Sequence, residues 1–280
     1  MQSKTPLKIV RVPVPSPTLW PHTTTDCYLI GNEHESILID TGYDQKETRN
    51  LLEKVIVDEK FAIPKRIFLS HSHPDHSTGV RQLMAWSPVV SCHRKESRNV
   101  LAAISPFKNI SFLDDKEIIT VSGEEIIIIH GPGHTAGHLC FYIPTMETLI
   151  AGDNIVAEGT TWIGGPDGDM TDYLRTLRQL RNLKLQRIGP GHGDWILNPY
   201  EHIDFVINRR LHREKQIRKF LIKHLQLSSK RLTEMIYGDS IHPSLFEVAK
   251  LTTEAHLNKL IQEGSVTLYN SVYSIRLNDS

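Results

Sequence analysis

His71-Ser72-His73-Pro74-Asp75-His76 places three imidazoles and one carboxylate within six residues. The stretch directly before it, Ile67-Phe68-Leu69-Ser70, is apolar and reads as a strand. A strand that ends in such a cluster delivers several nitrogen and oxygen donors into one small volume. Imidazole suits zinc, iron and other borderline cations; carboxylate suits these and harder ions as well. Fifteen histidines in 280 residues is a high count, so a lone histidine carries little weight. A His-x-His-x-Asp-His run whose loop is stiffened by Pro74 carries far more. It points to a metal site, and to one with donors for two ions.

Composition sets the frame for that site. A chain of 280 residues fits one large domain, or one domain with a small appendage, and is long enough to bury a sizeable core. Hydrophobic residues at 39% and charged residues at 23% are ordinary for a soluble globular protein. A formal net charge of zero supplies no global attraction to nucleic acid or to a membrane surface. Cys27, Cys92 and Cys140 are odd in number and far apart, which suits a reducing compartment and excludes a CxxC metal clip. The first 17 residues are studded with prolines and with Lys4, Lys8 and Arg11, and they hold no apolar signal core. No apolar run approaches a membrane span. A cytoplasmic protein is expected.

Along the chain, 27–30 and 36–40 read as strands, and 45–58 as a helix with Leu51, Leu52, Val55 and Ile56 at helical spacing. A short helix is expected at 77–86, a strand at 89–92 and a helix at 95–104. Strands follow at 117–120, 125–130, 139–143 and 148–151, with turns at Ser122-Gly123 and Pro144-Thr145. A helix at 171–183 and a short strand at 187–189 complete a second set. Two successive sets of strands feeding helices suggest two packed sheets with helices outside. Asn198-Pro199 then opens a long helix to about 225. A short helix to 236, another from His242-Pro243 to Gly264, and a hairpin of 266–269 with 272–275 resemble a winged helix.

Two further histidine loops follow strands. Gly131-Pro132-Gly133-His134-Thr135-Ala136-Gly137-His138 follows the isoleucine run, and Gly189-Pro190-Gly191-His192-Gly193-Asp194 follows the last short strand. Between them, Ile150-Ala151-Gly152-Asp153 ends a strand in an acid. Glycine beside a donor lets backbone approach closely. His138 reads equally well as a packed residue, as a partner of the donors or as a substrate contact. His22, His34 and His93 have no motif around them.

Taken in order, these motifs resemble the metallo-β-lactamase fold superfamily, and Leu38-Ile39-Asp40-Thr41-Gly42 resembles its early strand and turn. The likeness covers about residues 8 to 208. It implies an α+β fold, the four-layer αββα sandwich, with a dinuclear site along one sheet edge. It further implies that His71, His73 and His134 hold one divalent ion, that Asp75, His76 and His192 hold a second, and that Asp153 bridges them. Zinc is the first expectation for both ions, with iron or manganese as alternatives. Such a pair makes hydroxide available from a bridging water near neutral pH, so the expected reaction is hydrolysis by a metal-bridging hydroxide, with Asp75 orienting it or taking its proton. There is no Gly-x-Ser-x-Gly nucleophile elbow to suggest another route.

Substrate stays open at this point. Gly159-Thr160-Thr161, the Pro-Gly-His-Gly loop, the 212–216 helix segment and the terminal helices with hairpin resemble the beta-lactamase-like protein 2 group. Members of that group include a single-strand-specific endoribonuclease and thioesterases that release polyketides from carrier proteins. Ester or thioester hydrolysis of a small or carrier-bound acyl substrate is favoured, because Trp162-Ile163-Gly164-Gly165-Pro166 would form an apolar wall. RNA or DNA cleavage is the alternative: Arg209, Arg210, Arg213, Lys215, Arg218, Lys219, Lys223, Lys230 and Arg231 gather in one segment. A β-lactamase proper is disfavoured. A metal-containing regulatory or binding module is the non-enzyme reading, against which the complete donor set weighs. The domains expected are a catalytic 1–208 and a winged-helix-like 209–280. Oligomeric state is not legible.

Overall fold

The central strands of the first sheet are covered on both faces, which is why they read as apolar runs rather than as alternating patterns. In β2 (Thr24–Gly31), Cys27 and Leu29 enter one core while Tyr28 and Ile30 enter another. β3 (Ser36–Ile39) divides in the same way, with Leu38 on one side and Ile37 and Ile39 on the other. The computed structural model describes residues 5–18 and 22–276; Lys4 and the rest of the first four residues lie outside them.

The first sheet has the order β1 (Lys8–Pro15), β2, β3, β4 (Arg66–Phe68), β5 (Val89–Cys92), β6 (Ile110–Phe112). Its first three strands are antiparallel and its last four run parallel. The second sheet comprises β7 (Ile118–Val121), β8 (Glu124–His130), β9 (Leu139–Ile143), β10 (Thr148–Gly152) and β11 (Arg187–Pro190), with spatial order β11-β10-β9-β8-β7. Only its β10–β11 pair is parallel. The inner faces meet through Tyr28, Ile39 and Phe68 against Ile128, Phe141 and Ile150, and the Phe68 and Phe141 rings stack at 6.0 Å.

Helices cover both outer faces. On the first sheet, Leu52 and Ile56 of α1 (Lys46–Asp58), Leu83 of the 3-10 segment Thr78–Trp86, and Val100 of α3 (Ser97–Ile104) share one core. That 3-10 segment continues α2 (Pro74–Ser77). On the second sheet, Tyr173 and Leu177 of α4 (Met170–Arg181) pack with Ile203 and Val206 of α5 (Pro199–His224). The layers are therefore helix, sheet, sheet, helix: the αββα sandwich of an α+β protein. The far half of α5 enters a separate small core. Ile217 and Leu221 join Leu232 of α6 (Ser229–Tyr237), Leu257 of α7 (Phe246–Gln262), Val266 of β12 (Val266–Tyr269) and Tyr273 of β13 (Val272–Ile275). Asn270 and Ser271 both take positive φ, as a two-residue hairpin turn between twisted strands requires. Among the described residues no helix is long and apolar enough to cross a membrane.

Several elements differ from the sequence reading. β1 is a full eight-residue strand in the proline-studded stretch. Pro13 and Pro15 are tolerated because β1 is an edge strand, where a missing N–H need not leave a ladder bond unmade. β6 has three residues and also lies at an edge, too short for a periodic signal. The strand expected at 67–70 stops at Phe68, because Ser70 turns its N–H to Asp40 Oδ1 (2.7 Å). The helix expected at 77–86 is the α2 turn followed by 3-10 structure, and that from 243 begins with a 3-10 turn before α7.

The contact between inner faces is the main candidate for stability. Phe141→Ala removes a fully buried ring from it and is expected to lower unfolding free energy by about 3–5 kcal/mol. Urea denaturation checks this, and a loss below about 1 kcal/mol would show that the inter-sheet core repacks freely.

Candidate metal centre

Every donor singled out in the sequence leaves the C-terminal end of a strand at one edge of the sandwich. The loop after β4 carries His71, His73, Asp75 and His76, and the loop after β8 carries His134. Asp153 directly follows β10 and His192 follows β11. Side chains from two sheets, remote from one another in sequence, thus face one another.

Their donor atoms form two groups. Atoms of His71, His73, His134 and Asp153 all lie within 4.8 Å of one another, and so do atoms of Asp75, His76 and His192. In the first group His73 Nδ1 is 2.9 Å from both His71 Nε2 and His134 Nε2. Asp153 faces both groups. Its Oδ2 is 3.6 Å from His134 Nε2, while Oδ1 is 3.2 Å from His76 Nε2 and 3.3 Å from His192 Nε2.

The far nitrogens explain what these atoms can do. His134 Nδ1 donates to the Trp162 carbonyl (2.9 Å), His192 Nδ1 to the Thr24 carbonyl (2.7 Å) and His76 Nδ1 to Asp40 Oδ2 (2.8 Å). A carbonyl or carboxylate only accepts, so a neutral ring carries its proton on Nδ1 and presents a lone pair at Nε2. Those lone pairs point at carboxylates. His76 Nε2 and Asp153 Oδ1 are both buried, and neither has a hydrogen-bond partner among the described residues. Two acceptors facing each other at this range repel unless positive charge lies between them. The donor set and its geometry therefore fit divalent cations.

Electrostatics agree. Burial pushes the His71 and His138 imidazoles well below their usual range and His134 down to about 4. At His76 burial acts in the same sense, yet Asp153, Asp75 and Asp40 outweigh it and raise the ring well above its usual value. At His192 burial is outweighed chiefly by Asp153, which lifts the ring to about 9. Burial opposes ionisation of Asp153 too, but His192 and His76 hold its carboxyl well below the carboxylate range. Positive charge is favoured beside Asp153 in whatever form it comes.

Several residues of the site carried no donor motif. Asp40 holds His76 and also accepts from Ser70 N–H and Oγ–H (both 2.7 Å). Its signal was its place at the end of a strand in Leu-Ile-Asp-Thr-Gly. Thr25 Oγ1 donates to Asp75 Oδ2 (3.2 Å). Arg11 ties the His192 loop to β2 by donating to Asp26 Oδ1 (2.8 Å) and to the Gly193 carbonyl (2.9 Å). No sequence pattern announces such contacts, because they depend on which strands become neighbours. His138 is fully buried and its Nε2 accepts the Asp153 backbone N–H (3.1 Å), so it steadies the strand end and does not face substrate. His22 stacks on His192 with ring centroids 5.1 Å apart. His93 stacks on His130 away from the donors, and His34 lies on the surface beside Glu33.

The donors open into a cleft of about 720 Å³. Pro17, Thr18 and His22 form one side, and Val156 with Glu158 to Trp162 forms the other. Among the described residues lining it there is no Lys or Arg. Residues 20–192 match the sequence model of the metallo-beta-lactamase superfamily. The chain belongs to this superfamily. As a superfamily member it is 29% identical over 272 residues to the beta-lactamase-like protein 2 homolog of Drosophila melanogaster, covering 94% of this chain and 91% of that protein. It is also 29% identical over 251 residues to an atrochrysone carboxyl ACP thioesterase of Emericella nidulans, covering 86% of this chain and 76% of the relative. A solved metallo-beta-lactamase family protein of Thermus thermophilus shares its fold with a TM-score of 0.81 at 23% identity, over 96% of this chain and 98% of that one.

Gly191 permits the approach of Asp153 to both donor groups, since a Cβ there would lie 2.0 Å from Asp153 Oδ1. Gly191→Ala is expected to weaken binding of a divalent cation, probed with Zn²⁺, by about ten-fold or more. Equilibrium dialysis against a chelator of known affinity measures it, and an unchanged affinity would separate Asp153 from the metal centre.

Proposed function

We propose that this chain is a dinuclear metal-dependent hydrolase acting on an ester or thioester of a small or carrier-bound acyl group. The observation that carries the reading is Asp153, whose two oxygens face two separate groups of histidine lone pairs. His71, His73 and His134 would hold one ion, Asp75, His76 and His192 the other, with Asp153 shared. When bound, two such ions supply a water of lowered pKa and Lewis-acid stabilisation of a developing oxyanion. Zinc is the ion proposed; iron and manganese suit the same donors.

The chain's own residues do the rest. Thr25 and the imidazoles of His76 and His192 all approach Asp75 through Oδ2. Oδ1 is then the oxygen that orients the attacking water and takes its proton. Trp162 and Val156 form an apolar wall against an acyl chain, and His22 closes the cleft opposite. Burial lowers the His22 pKa, which keeps that ring neutral toward an uncharged substrate.

The choice between acyl and phosphodiester substrates rests on charge. A phosphate backbone calls for cations along its path. The described cleft lining lacks Lys and Arg. Arg210, from the basic run on α5, is buried and donates to the Thr161 carbonyl. A thioesterase among the relatives points the same way. Lys215, Arg218, Lys219 and Lys223 remain exposed on α5, and they are the feature that favours a single-strand ribonuclease as the second reading.

We further assign 1–208 to the catalytic domain and 209–280 to a winged-helix-like domain that backs the cleft. The support is a hydrogen bond from Trp162 Nε1 to the Val248 carbonyl of α7 (3.3 Å), together with the Arg210 contact. Three free, buried cysteines suit a reducing compartment such as the cytoplasm.

The 280-residue chain turning over acyl-CoA thioesters but not bis-p-nitrophenyl phosphate or single-stranded RNA is the expected result. Chelation should abolish turnover and zinc or manganese restore it. His71→Ala and Asp75→Ala should abolish it with the fold retained by circular dichroism; full activity in either variant would sink the assignment. Trp162→Ala should raise KM for a long acyl chain by about ten-fold, the equivalent of ~1.4 kcal/mol, while acetyl thioester is little affected. Equal KM changes for both substrates would remove Trp162 from the acyl wall.

A further inference from the structure

Glu96 is a buried carboxylate outside the donor set. It ends the 3-10 turn Arg94–Glu96 that follows β5, and only 3% of its surface is exposed. Its Oε2 accepts the Ser72 N–H (3.1 Å) and the Ser72 hydroxyl (2.5 Å), and its Oε1 accepts the Gly137 N–H (2.9 Å). All three donors are neutral. Burying a charge without a cation is unfavourable, so the position calls for a reason beyond packing.

The reason lies in what the two oxygens join. Ser72 stands between His71 and His73 in the loop that leaves the first sheet. Gly137 stands three residues after His134 in the loop that leaves the second. Glu96 is thus a strut between the two loops that carry the first donor group. Its approach depends on a glycine, because a Cβ on residue 137 would lie 2.7 Å from Glu96 Cγ and 2.9 Å from Oε1. A carboxylate suits this strut and an amide does not. All its lone pairs accept, whereas the NH₂ of a glutamine would face an N–H on one of the two loops.

We propose that Glu96 is a positioning residue that sets the separation of His71 and His73 from His134, and with it the affinity of that group for a divalent ion. The proposal rests on the metal-centre reading above. It deepens that reading by locating control of the first site in a side chain that touches neither metal nor substrate.

The test uses the full chain, stripped of metal and titrated with Zn²⁺ against a chromophoric chelator. Glu96→Gln is expected to weaken one of the Zn²⁺ sites by about 10–100-fold, the range usual for partners of metal ligands. In the loaded enzyme kcat should fall while KM for an acyl thioester stays within about two-fold. Glu96→Gln binding Zn²⁺ as tightly as wild type would overturn the proposal. Should that variant fail to fold, Ser72→Ala decides, since it removes one donor and leaves Glu96 and Gly137 joined. A several-fold weaker Zn²⁺ site supports the strut, and wild-type affinity overturns it. Wild-type protein that takes up no Zn²⁺ at all would refute the metal centre itself, a different outcome from equal affinities.

Discussion

Each imidazole at this centre whose Nε2 faces a carboxylate is held on its far side by an oxygen. The Trp162 carbonyl, the Thr24 carbonyl and the Asp40 carboxylate accept hydrogen bonds from Nδ1–H of His134, His192 and His76. That one constraint fixes both ring orientation and tautomer, and so aims the Nε2 lone pairs inward at carboxylates. The rest of the structure follows from the need to bring those oxygens into place. Thr24 opens β2, Asp40 follows β3, and Trp162 lies on the loop after β10. Three segments with no donor motif therefore decide whether the donors can act together.

The two-sheet architecture lets the donors converge from strand ends that are remote in sequence. The donor-bearing strands end at one edge, and the loops leaving them carry the donors. Each sheet contributes part of each donor group. The inter-sheet core of Tyr28, Phe68, Phe141 and Ile150 is then also what sets the spacing of the centre. Interiors are close-packed and resist small displacements, so a donor spacing set by such a core is stiff. Glu96 adds a polar strut across the same gap at the outer edge.

The C-terminal region has a clearer place than its sequence suggested. α5 belongs to two cores at once, with Val206 in one and Ile217 in the other. A helix shared in this way transmits position from the small core to the sandwich. Arg210 and Val248 use that position to hold the loop at Thr161 and Trp162. The same loop supplies both the cleft wall and the carbonyl that orients His134. Wall and centre are coupled through one residue, Trp162, which lines the cleft while its backbone carbonyl accepts from His134.

Residue chemistry and spacing along the chain determined the donor types, the strand ends that bear them, the αββα layering and the terminal hairpin. These are local properties: a glycine-flanked histidine after an apolar run can be recognised wherever the run finally packs. The edge strands β1 and β6, the roles of Asp40, Thr25 and Glu96, and the inward turn of Arg210 were decided only by tertiary structure. Each of those depends on a neighbour far along the chain, brought alongside by sheet order and loop packing. A side chain's partner across two strands leaves no periodic trace in its own segment. Hydrogen-bond geometry, not composition, made acceptors of one face of each of these histidines and donors of the other.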